Sequence, residues 1–356
     1  MHRLAFGPRR CVIGRQLVAW NPYVSVAHKR QEGGQLSLLK VGTHYEMLLD
    51  EPGFGKFPID LVHLRIDKPE DLNGIEVLWS QIFTAEMAHY SNKLKLIQST
   101  GAGLELVQFD HVPNGCQVAI VHEHQWAIAE WVIMAMVSLN REVLKLDRDV
   151  REGRWEHHPI NSFSPSGTEL NSQTLGVVGF GHIGRQVSKY ASALGMRVKA
   201  ATRNPPSQAV ASGYGADSVE NLNRLPEFLS DCDHVLVTVA LVDETESLIG
   251  KEELNAMPDN ACLINVARGP VVNEKALYQA LHGGHIAGAA LDVWWQEPNK
   301  PGELPKSSKY DFGDFANVLM SPHASAMTKE VMQRRLQAAY ANFDRIKLGE
   351  PVEGVV

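Results

Sequence analysis

The sequence predicts an α/β fold built on a doubly wound parallel sheet, and three observations carry that expectation. From Thr174 to Pro322 short apolar runs alternate with amphipathic stretches, the pattern of parallel strands joined by crossover helices. The first run, TLGVVGF at Thr174–Phe180, is continuously apolar, as suits a strand covered on both faces. It leads into Gly179, Gly181 and Gly184 at G-x-G-x-x-G spacing, which sets a tight turn between a strand and a helix.

In chain order, the segment before residue 60 shows little periodicity. IEVLW (Ile75–Trp79) and LKLIQ (Leu94–Gln98) read as buried strands, with a weak helical signal at Glu86–Asn92 between them. This points to a smaller α/β unit. Ala127–Val150 reads as one long helix leading into the sheet. After the glycine turn, Ile183, Val187, Ala191 and Leu194 recur at helical spacing. Strands are expected at Arg197–Thr202, His234–Val239, Ala261–Val266, Ile286–Val293 and Asn317–Ser321, with a helix marked by Ala276, Leu277, Ala280 and Leu281. The last helix, Lys329–Leu348, lines up Met332, Leu336, Ala339, Phe343 and Ile346 on one face, and Gly349 and Pro351 stop it.

Bulk composition narrows the function. The chain has 356 residues, 44% hydrophobic and 21% charged, enough for two domains and a large core. A net charge of −7 argues against nucleic acid as a partner. The apolar stretch Trp126–Leu139 is interrupted by Glu130 and is too short for a bilayer, so no membrane association is expected. Cys11, Cys116, Cys232 and Cys262 form no CxxC pair, which fits a reducing, cytoplasmic compartment without disulfides or zinc. Six basic residues precede the first acid, Glu32. Such an Arg-rich, acid-poor start is also what a mitochondrial transit peptide has, but scarce serine and Pro8 and Pro22 favour an extension.

The glycine turn is suited to a dinucleotide pyrophosphate. Gly179 allows the turn, Gly181 lets the backbone approach the phosphates, and Gly184 lets helix and strand pack closely. The helix start adds free N–H groups and partial positive charge. An NAD site usually carries an acid about 20 residues on, yet no acid lies between Gly184 and Asp217. Thr202, Arg203 and Asn204 stand at that strand end instead, and an arginine there can pair with a 2′-phosphate. NADP(H) is therefore favoured. NAD(H) is the alternative, with Arg203 then a solvated surface residue.

Three ionisable side chains complete a chemistry. Arg268 in NVARGPVV, Glu297 in LDVWWQEP and His323 in SPHAS each follow an expected strand, so all three can project from the sheet edge where ligands bind. Arginine can grip a carboxylate and polarise a neighbouring ketone. Histidine can supply a proton as hydride reaches carbon. A carboxylate bonded to the imidazole fixes its tautomer. The set suits reduction of a small 2-oxo acid or oxidation of a 2-hydroxy acid. Singly, each has a plainer structural reading, as an ion pair, a turn carboxylate or a cap.

NVARGPVVNEKALYQAL, GAALDVWWQEP, SPHAS and GTELNSQTLGVVGFGHIGRQV resemble the signature segments of the D-isomer-specific 2-hydroxyacid dehydrogenases, including the glyoxylate/hydroxypyruvate reductases. The resemblance covers roughly Leu94–His323. It implies two Rossmann-like domains with a cleft between them: residues 122–323 bind the dinucleotide, and residues 1–121 with 324–356 form the substrate domain. It implies homodimers, Arg268 as substrate arginine, Glu297 as the partner of His323, and His323 as acid/base. It further implies Asp292 near the nicotinamide carboxamide, His182 and Ile183 backbone at the pyrophosphate, and Ala267 among the cofactor contacts. The loop Ser99–Gly103, with Thr100, Gly101, Ala102 and Gly103, resembles the one whose amides meet the substrate carboxylate. Ala240, Asn273 and the triplet His122–Glu123–His124 depart from the usual pattern, the last on the nicotinamide side, and the triplet is not expected to hold metal. DVWWQEP is also similar to a formate dehydrogenase motif with Gln at the Glu297 position, and Glu297 argues against that chemistry. A non-enzymatic dinucleotide-sensing corepressor is the remaining alternative.

Overall fold

Short apolar segments flanked by polar ones build the first sheet. Its strands are β1 (Leu39–Thr43), β2 (Ile59–His63), β3 (Val77–Trp79), β4 (Leu96–Gln98) and β5 (Gln117–Ala119), in the order β2-β1-β3-β4-β5 and all parallel. This computed structural model describes residues 38–45, 59–161, 167–298 and 302–356, and Leu39–Val356 form one compact unit. The expectations for the Arg-rich N-terminus fall outside the described residues. Periodicity found β3 and β4 but not β1, β2 or β5, which carry one or two charged or polar residues in every few positions. The helix expected at Glu86–Asn92 is a single turn, α1 (Ala85–Ala88), capped by Thr84.

The expected long helix is two. α2 (Gln125–Asn140) and α3 (Val143–Arg151) are separated at Arg141 and Glu142, where Glu142 takes a left-handed φ of 48°. Asn140 reaches across this break with its amide to Thr168 O and Gln173 Oε1. The chain needs the bend because α2 is buried against the larger sheet, through Ile128, Val132 and Met136, whereas α3 buries almost nothing.

The larger sheet follows. Its elements are β6 (Thr174–Val178), α4 (His182–Ala193), β7 (Arg197–Thr202), α5 (Gln208–Ser212), β8 (Ser218–Asn221), α6 (Leu225–Leu229), β9 (His234–Val237), α7 (Lys251–Ala256), β10 (Cys262–Asn265), α8 (Glu274–His282), β11 (Gly288–Leu291) and β12 (Val318–Met320). Among the described residues the order is β12-β11-β10-β9-β6-β7-β8, all parallel. The chain winds outward from β6 through β7 to β8, then returns to β9 on the other side of β6. The switch point, where such folds bind ligands, therefore lies between β6 and β9. The central strands β6, β9, β10 and β11 are buried at every position, with one hydrophobic cluster on each face. β8 escaped the sequence reading because SVEN at an exposed edge has no apolar run. Leu194, expected on the α4 core face, is 45% exposed because the helix ends one residue before it.

The C-terminal helix α9 (Lys329–Leu348) forms where expected and is closed by Gly349 at φ 71°. It packs on the first sheet, not the second: Ala339, Tyr340 and Phe343 join Leu39, Val41, Val77, Trp79 and Leu96. Val331 rather than Met332 is the buried residue of its first turn. No helix among the described residues is long and apolar enough to cross a membrane.

Candidate active site

The glycine turn sits at the switch point. Gly179 has φ 103°, and a Cβ there would lie 2.8 Å from Val239 N and 2.9 Å from Thr238 Oγ1. Only glycine lets the ends of β6 and β9 come this close. Thr238 Oγ1 then donates to Gly179 O at 2.7 Å. A Cβ on Gly184 would run into Gly179 O, whereas a Cβ on Gly181 would meet open space. The first intrahelical bond of α4 runs from Arg185 N to Gly181 O. The N–H groups of His182, Ile183 and Gly184 thus have no carbonyl within the helix. An open cradle over Gly181, faced by free N–H groups at a helix start, fits a dinucleotide pyrophosphate. Thr202, Arg203 and Asn204 close β7 beside it. Arg203 is exposed, with its guanidinium 3.9 Å from Glu244 and its carbonyl accepting from Asn221 Nδ2 at 2.8 Å.

Arg268, Glu297 and His323 follow the ends of β10, β11 and β12, three neighbouring strands. Arg268 is held in extended backbone by Asn265, whose side chain donates to Arg268 O and accepts from Ala267 N, both at 3.0 Å. Gly269 passes so close to Trp294 that no Cβ would fit. This locks the β10 and β11 turns together. His323 Nδ1 and Glu297 Oε2 are 2.7 Å apart, and the other oxygen of Glu297 accepts from Trp294 N at 3.0 Å. Burial alone would raise the Glu297 carboxyl. The hydrogen bond and charge of His323, the Trp294 N–H and the charge of Arg268 together bring it below its ordinary value. The carboxylate is therefore ionised and ready to steady an imidazolium.

His323 itself has φ 54°, left-handed backbone for a residue with a side chain, which has to be held by its surroundings. Asp292, wholly buried, does the holding. Its carboxylate accepts from Ser321 Oγ at 2.5 Å, from Ala324 N at 2.8 Å, from Ser325 N at 3.0 Å and from Ser325 Oγ, while its carbonyl accepts from His323 N at 2.6 Å. The structure thus assigns Asp292 a scaffold task that its sequence setting did not reveal.

The loop Ser99–Gly103 lies against Arg268. A Cβ on Gly103 would be 2.6 Å from both Arg268 Nη2 and Glu105 Oε2. Thr100 is half-buried, Gly101 and Gly103 are buried, and Ala102 is exposed. Glu105 was not foreseen. It accepts from Arg268 Nε at 2.7 Å, while Nη1 of the same guanidinium donates to Ala267 O. Burial would raise the Glu105 carboxyl, but the charge and hydrogen bond of Arg268, its own backbone N–H and the charge of His323 lower it. The charges of Arg268 and His323 are both felt at Glu105 and at Glu297, so these four side chains lie within electrostatic reach of one another. The signal for Glu105 was its position two residues beyond the loop glycine.

His122, Glu123 and His124 precede α2, and His124 feels the charge of Arg268. The His122 ring stacks on His182 at 4.3 Å between centroids. His124 is 7% exposed and its Nδ1 has no partner among the described residues. Its pKa is pushed down to about 3, first by burial, then by the charges of Arg335, His122, Arg268 and His182. Arg334 on α9 ties this segment down through Glu123 O and the Trp126 ring.

A glycine cradle at the switch point of a doubly wound parallel sheet, with a histidine–carboxylate pair and an arginine following neighbouring strands, defines a dinucleotide-binding fold. The sequence model described as "D-isomer specific 2-hydroxyacid dehydrogenase, NAD binding domain" matches residues 133–325. A glyoxylate reductase of Korarchaeum cryptofilum is 31% identical over 339 residues, covering 92% of this chain and 94% of the relative. A D-3-phosphoglycerate dehydrogenase of Methanocaldococcus jannaschii is 29% identical over 82% of this chain but 53% of its own length, so this chain spans about half of that relative. The crystal structure of a D-isomer specific 2-hydroxyacid dehydrogenase from Xanthobacter autotrophicus Py2, in complex with NADPH and MES, is 26% identical with a TM-score of 0.69, covering 89% of this chain and 97% of that one. This chain belongs to the D-isomer specific 2-hydroxyacid dehydrogenases, enzymes that use a nicotinamide dinucleotide to oxidise or form a CH–OH group.

Proposed function

We propose that this protein is an NADPH-preferring reductase of a small 2-oxo acid, with glyoxylate and hydroxypyruvate as first candidates. The observation that carries the reading is the His323–Glu297 pair, 2.7 Å apart, with Arg268 near enough for its charge to lower the Glu297 carboxyl. Bound at the Gly179–Gly184 turn, the dinucleotide supplies the hydride. Arg268 anchors the substrate carboxylate together with the amides of the Thr100–Gly103 loop, and it polarises the ketone. His323, oriented by Glu297, donates the proton to the developing alkoxide and takes it back in the oxidative direction. Asp292 keeps His323 in place, and His182, Ile183 and Ala267 line the cofactor side.

Arg203, and the lack of an Asp or Glu at the end of β7 where an NAD site usually carries one, support NADP(H) over NAD(H), since a 2′-phosphate would displace the loose contact of Arg203 with Glu244. The reading includes a substrate domain of residues 1–121 with 324–356, a dinucleotide domain of residues 122–323, and a homodimer in the cytoplasm. The test is oxidation of NADPH and NADH with a panel of 2-oxo acids, alongside His323→Gln. Turnover that falls about 100-fold or more in the variant, with NADPH binding retained, is the expected result. Failure of the wild-type protein to reduce any 2-oxo acid would refute the proposal.

A further inference from the structure

We infer that Arg335, with Gln81 beside it, forms a second anion-binding position in the substrate cleft. The 2-oxo acid taken by this protein then carries a second anionic group, a carboxylate or a phosphate, a few atoms from its ketone. This rests on the 2-oxo acid reading above and narrows it to a substrate class.

Arg335 stands in the second turn of α9, half-buried, and its Nε is fully buried with no partner among the described residues. Other arginines facing this region or on this helix are matched: Arg268 by Glu105, Arg334 by Glu123, Arg345 by Glu353. No carboxylate among the described residues pairs with Arg335, and burial lowers its pKa with only Tyr45 acting the other way. A desolvated cation with no counter-charge is costly, and an anionic ligand brings the missing charge.

The position is inside the cleft. A Cβ on Gly101 would lie 3.8 Å from Arg335 Nη2 and 3.6 Å from Gln81 Nε2, so both donors converge on space that this glycine leaves open. Tyr45 donates its hydroxyl to Gln81 Oε1 at 3.3 Å, which leaves the amide nitrogen of Gln81 for the Gly101 side. Two residues on, Gly103 lies against Arg268 in the same way. Two residues of backbone span at most about 7 Å. With 2.6 Å from the Gly103 Cβ position to Arg268 Nη2 and 3.8 Å from the Gly101 one to Arg335 Nη2, the two guanidinium groups lie no more than about 13 Å apart, within reach of an acid of three to five carbons with a charge at each end. Buried His124, whose Nδ1 has no partner among the described residues, feels the charges of both arginines.

The experiment compares oxaloacetate, 2-oxoglutarate and phosphohydroxypyruvate with glyoxylate and pyruvate, using NADPH and the full chain, in the wild type, Arg335→Met, Arg335→Lys and Gln81→Leu. The wild type is expected to prefer at least one dianionic acid by about 30-fold or more in kcat/KM. Arg335→Met should erase that preference while glyoxylate changes less than about 3-fold, and Arg335→Lys should restore part of it. Because the arginine has no carboxylate partner among the described residues, Arg335→Met should melt no lower than the wild type. Absence of any dianion preference, or an equal loss on glyoxylate, would overturn the subsite and leave the reductase reading standing. If no 2-oxo acid is turned over, the reductase reading fails. Calorimetric titration with oxaloacetate then decides the subsite alone: tenfold weaker binding to Arg335→Met supports it, equal binding overturns it.

Discussion

Glu105 makes the most direct prediction, because its carboxylate occupies the guanidinium that the substrate is proposed to use. Arg268 Nε and Glu105 Oε1 are 2.7 Å apart, with the arginine side chain 30% exposed and the glutamate 47% exposed. A single-pronged pair this open to water is worth about 0.2–1 kcal/mol. A substrate carboxylate must displace it before gripping Arg268. Glu105→Gln weakens the competitor and keeps its size, so KM for the 2-oxo acid should fall by about 1.4- to 5-fold. The interaction is lost equally from ground and transition states, so kcat should stay within about 2-fold. Steady-state NADPH oxidation over a substrate series measures both constants.

The pH dependence follows with a definite sign. Glu105 has a folded pKa below its ordinary 4.5, so its pair contributes stability above that value and loses it as pH falls through the lowered one. Glu105→Gln should therefore flatten the acid end of the stability profile below about pH 4.5 while leaving it unchanged at neutrality, apart from the small loss of the pair. A KM that rises in Glu105→Gln would refute the competition and make Glu105 a residue that positions Arg268 for substrate.

Three further outcomes are expected. Arg203→Asp should lower kcat/KM for NADPH by about 10-fold or more and spare NADH, and an unchanged NADPH/NADH ratio would remove Arg203 from cofactor choice. Gly181→Ala puts a methyl into open space at φ −82°, so melting should be unchanged while the Kd for NADPH rises about 10-fold. A lower melting temperature with unaltered cofactor binding would place the cradle elsewhere. His234 is wholly buried, bonds Gln173 at 3.0 Å, and has its pKa pushed down to about 4 by burial. The unfolded chain therefore takes up a proton near pH 6.5 that the folded chain refuses, and stability should drop by about 3 kcal/mol between pH 6.5 and 4. Urea titrations across that range on His234→Gln should show a shallower fall, and an equal fall would assign the acid sensitivity to other groups.

What the sequence made legible follows the physics of burial. β6, β9, β10 and β11 are apolar at nearly every position because both faces are covered, and such runs announce themselves. β2 and β8 lie at sheet edges, half-buried or exposed, and their mixed segments IDLVH and SVEN carry no comparable signal. The break between α2 and α3 was invisible because Glu142 is neither Gly nor Pro, and its left-handed φ is set by what α2 packs against. The glycine turn and the three reactive side chains could be named because their local settings are distinctive. Glu105, Gln81 and Arg335 could not, because what matters about them is which residues they meet across the fold. Arg335 reads in sequence as one more charge on an amphipathic helix, and it is set apart by its lack of a partner among the described residues.

The chemistry converges because of sheet order, not sequence distance. β10, β11 and β12 are successive neighbours in one parallel sheet, and parallel strands lie about 4.8 Å apart. Arg268, Glu297 and His323 leave those three strands at the same edge, so 55 residues of chain from Arg268 to His323 close to a span of two strand spacings. Such a site holds its geometry only if the turns beyond the strands are as rigid as the strands. Each turn is tied to its neighbour: Asn265 braces Arg268, Gly269 wedges against Trp294, Trp294 donates its indole N–H to Ser321 O at 2.9 Å, and Asp292 holds the turn through Ser325. The left-handed backbone of His323 is affordable in that frame and not outside it. The first sheet contributes differently. It brings Gly101, Gly103, Glu105 and Gln81 on loops, and α9 brings Arg335, so in the proposed reading the larger sheet fixes the reacting centre while the loops and α9 decide which acid is admitted.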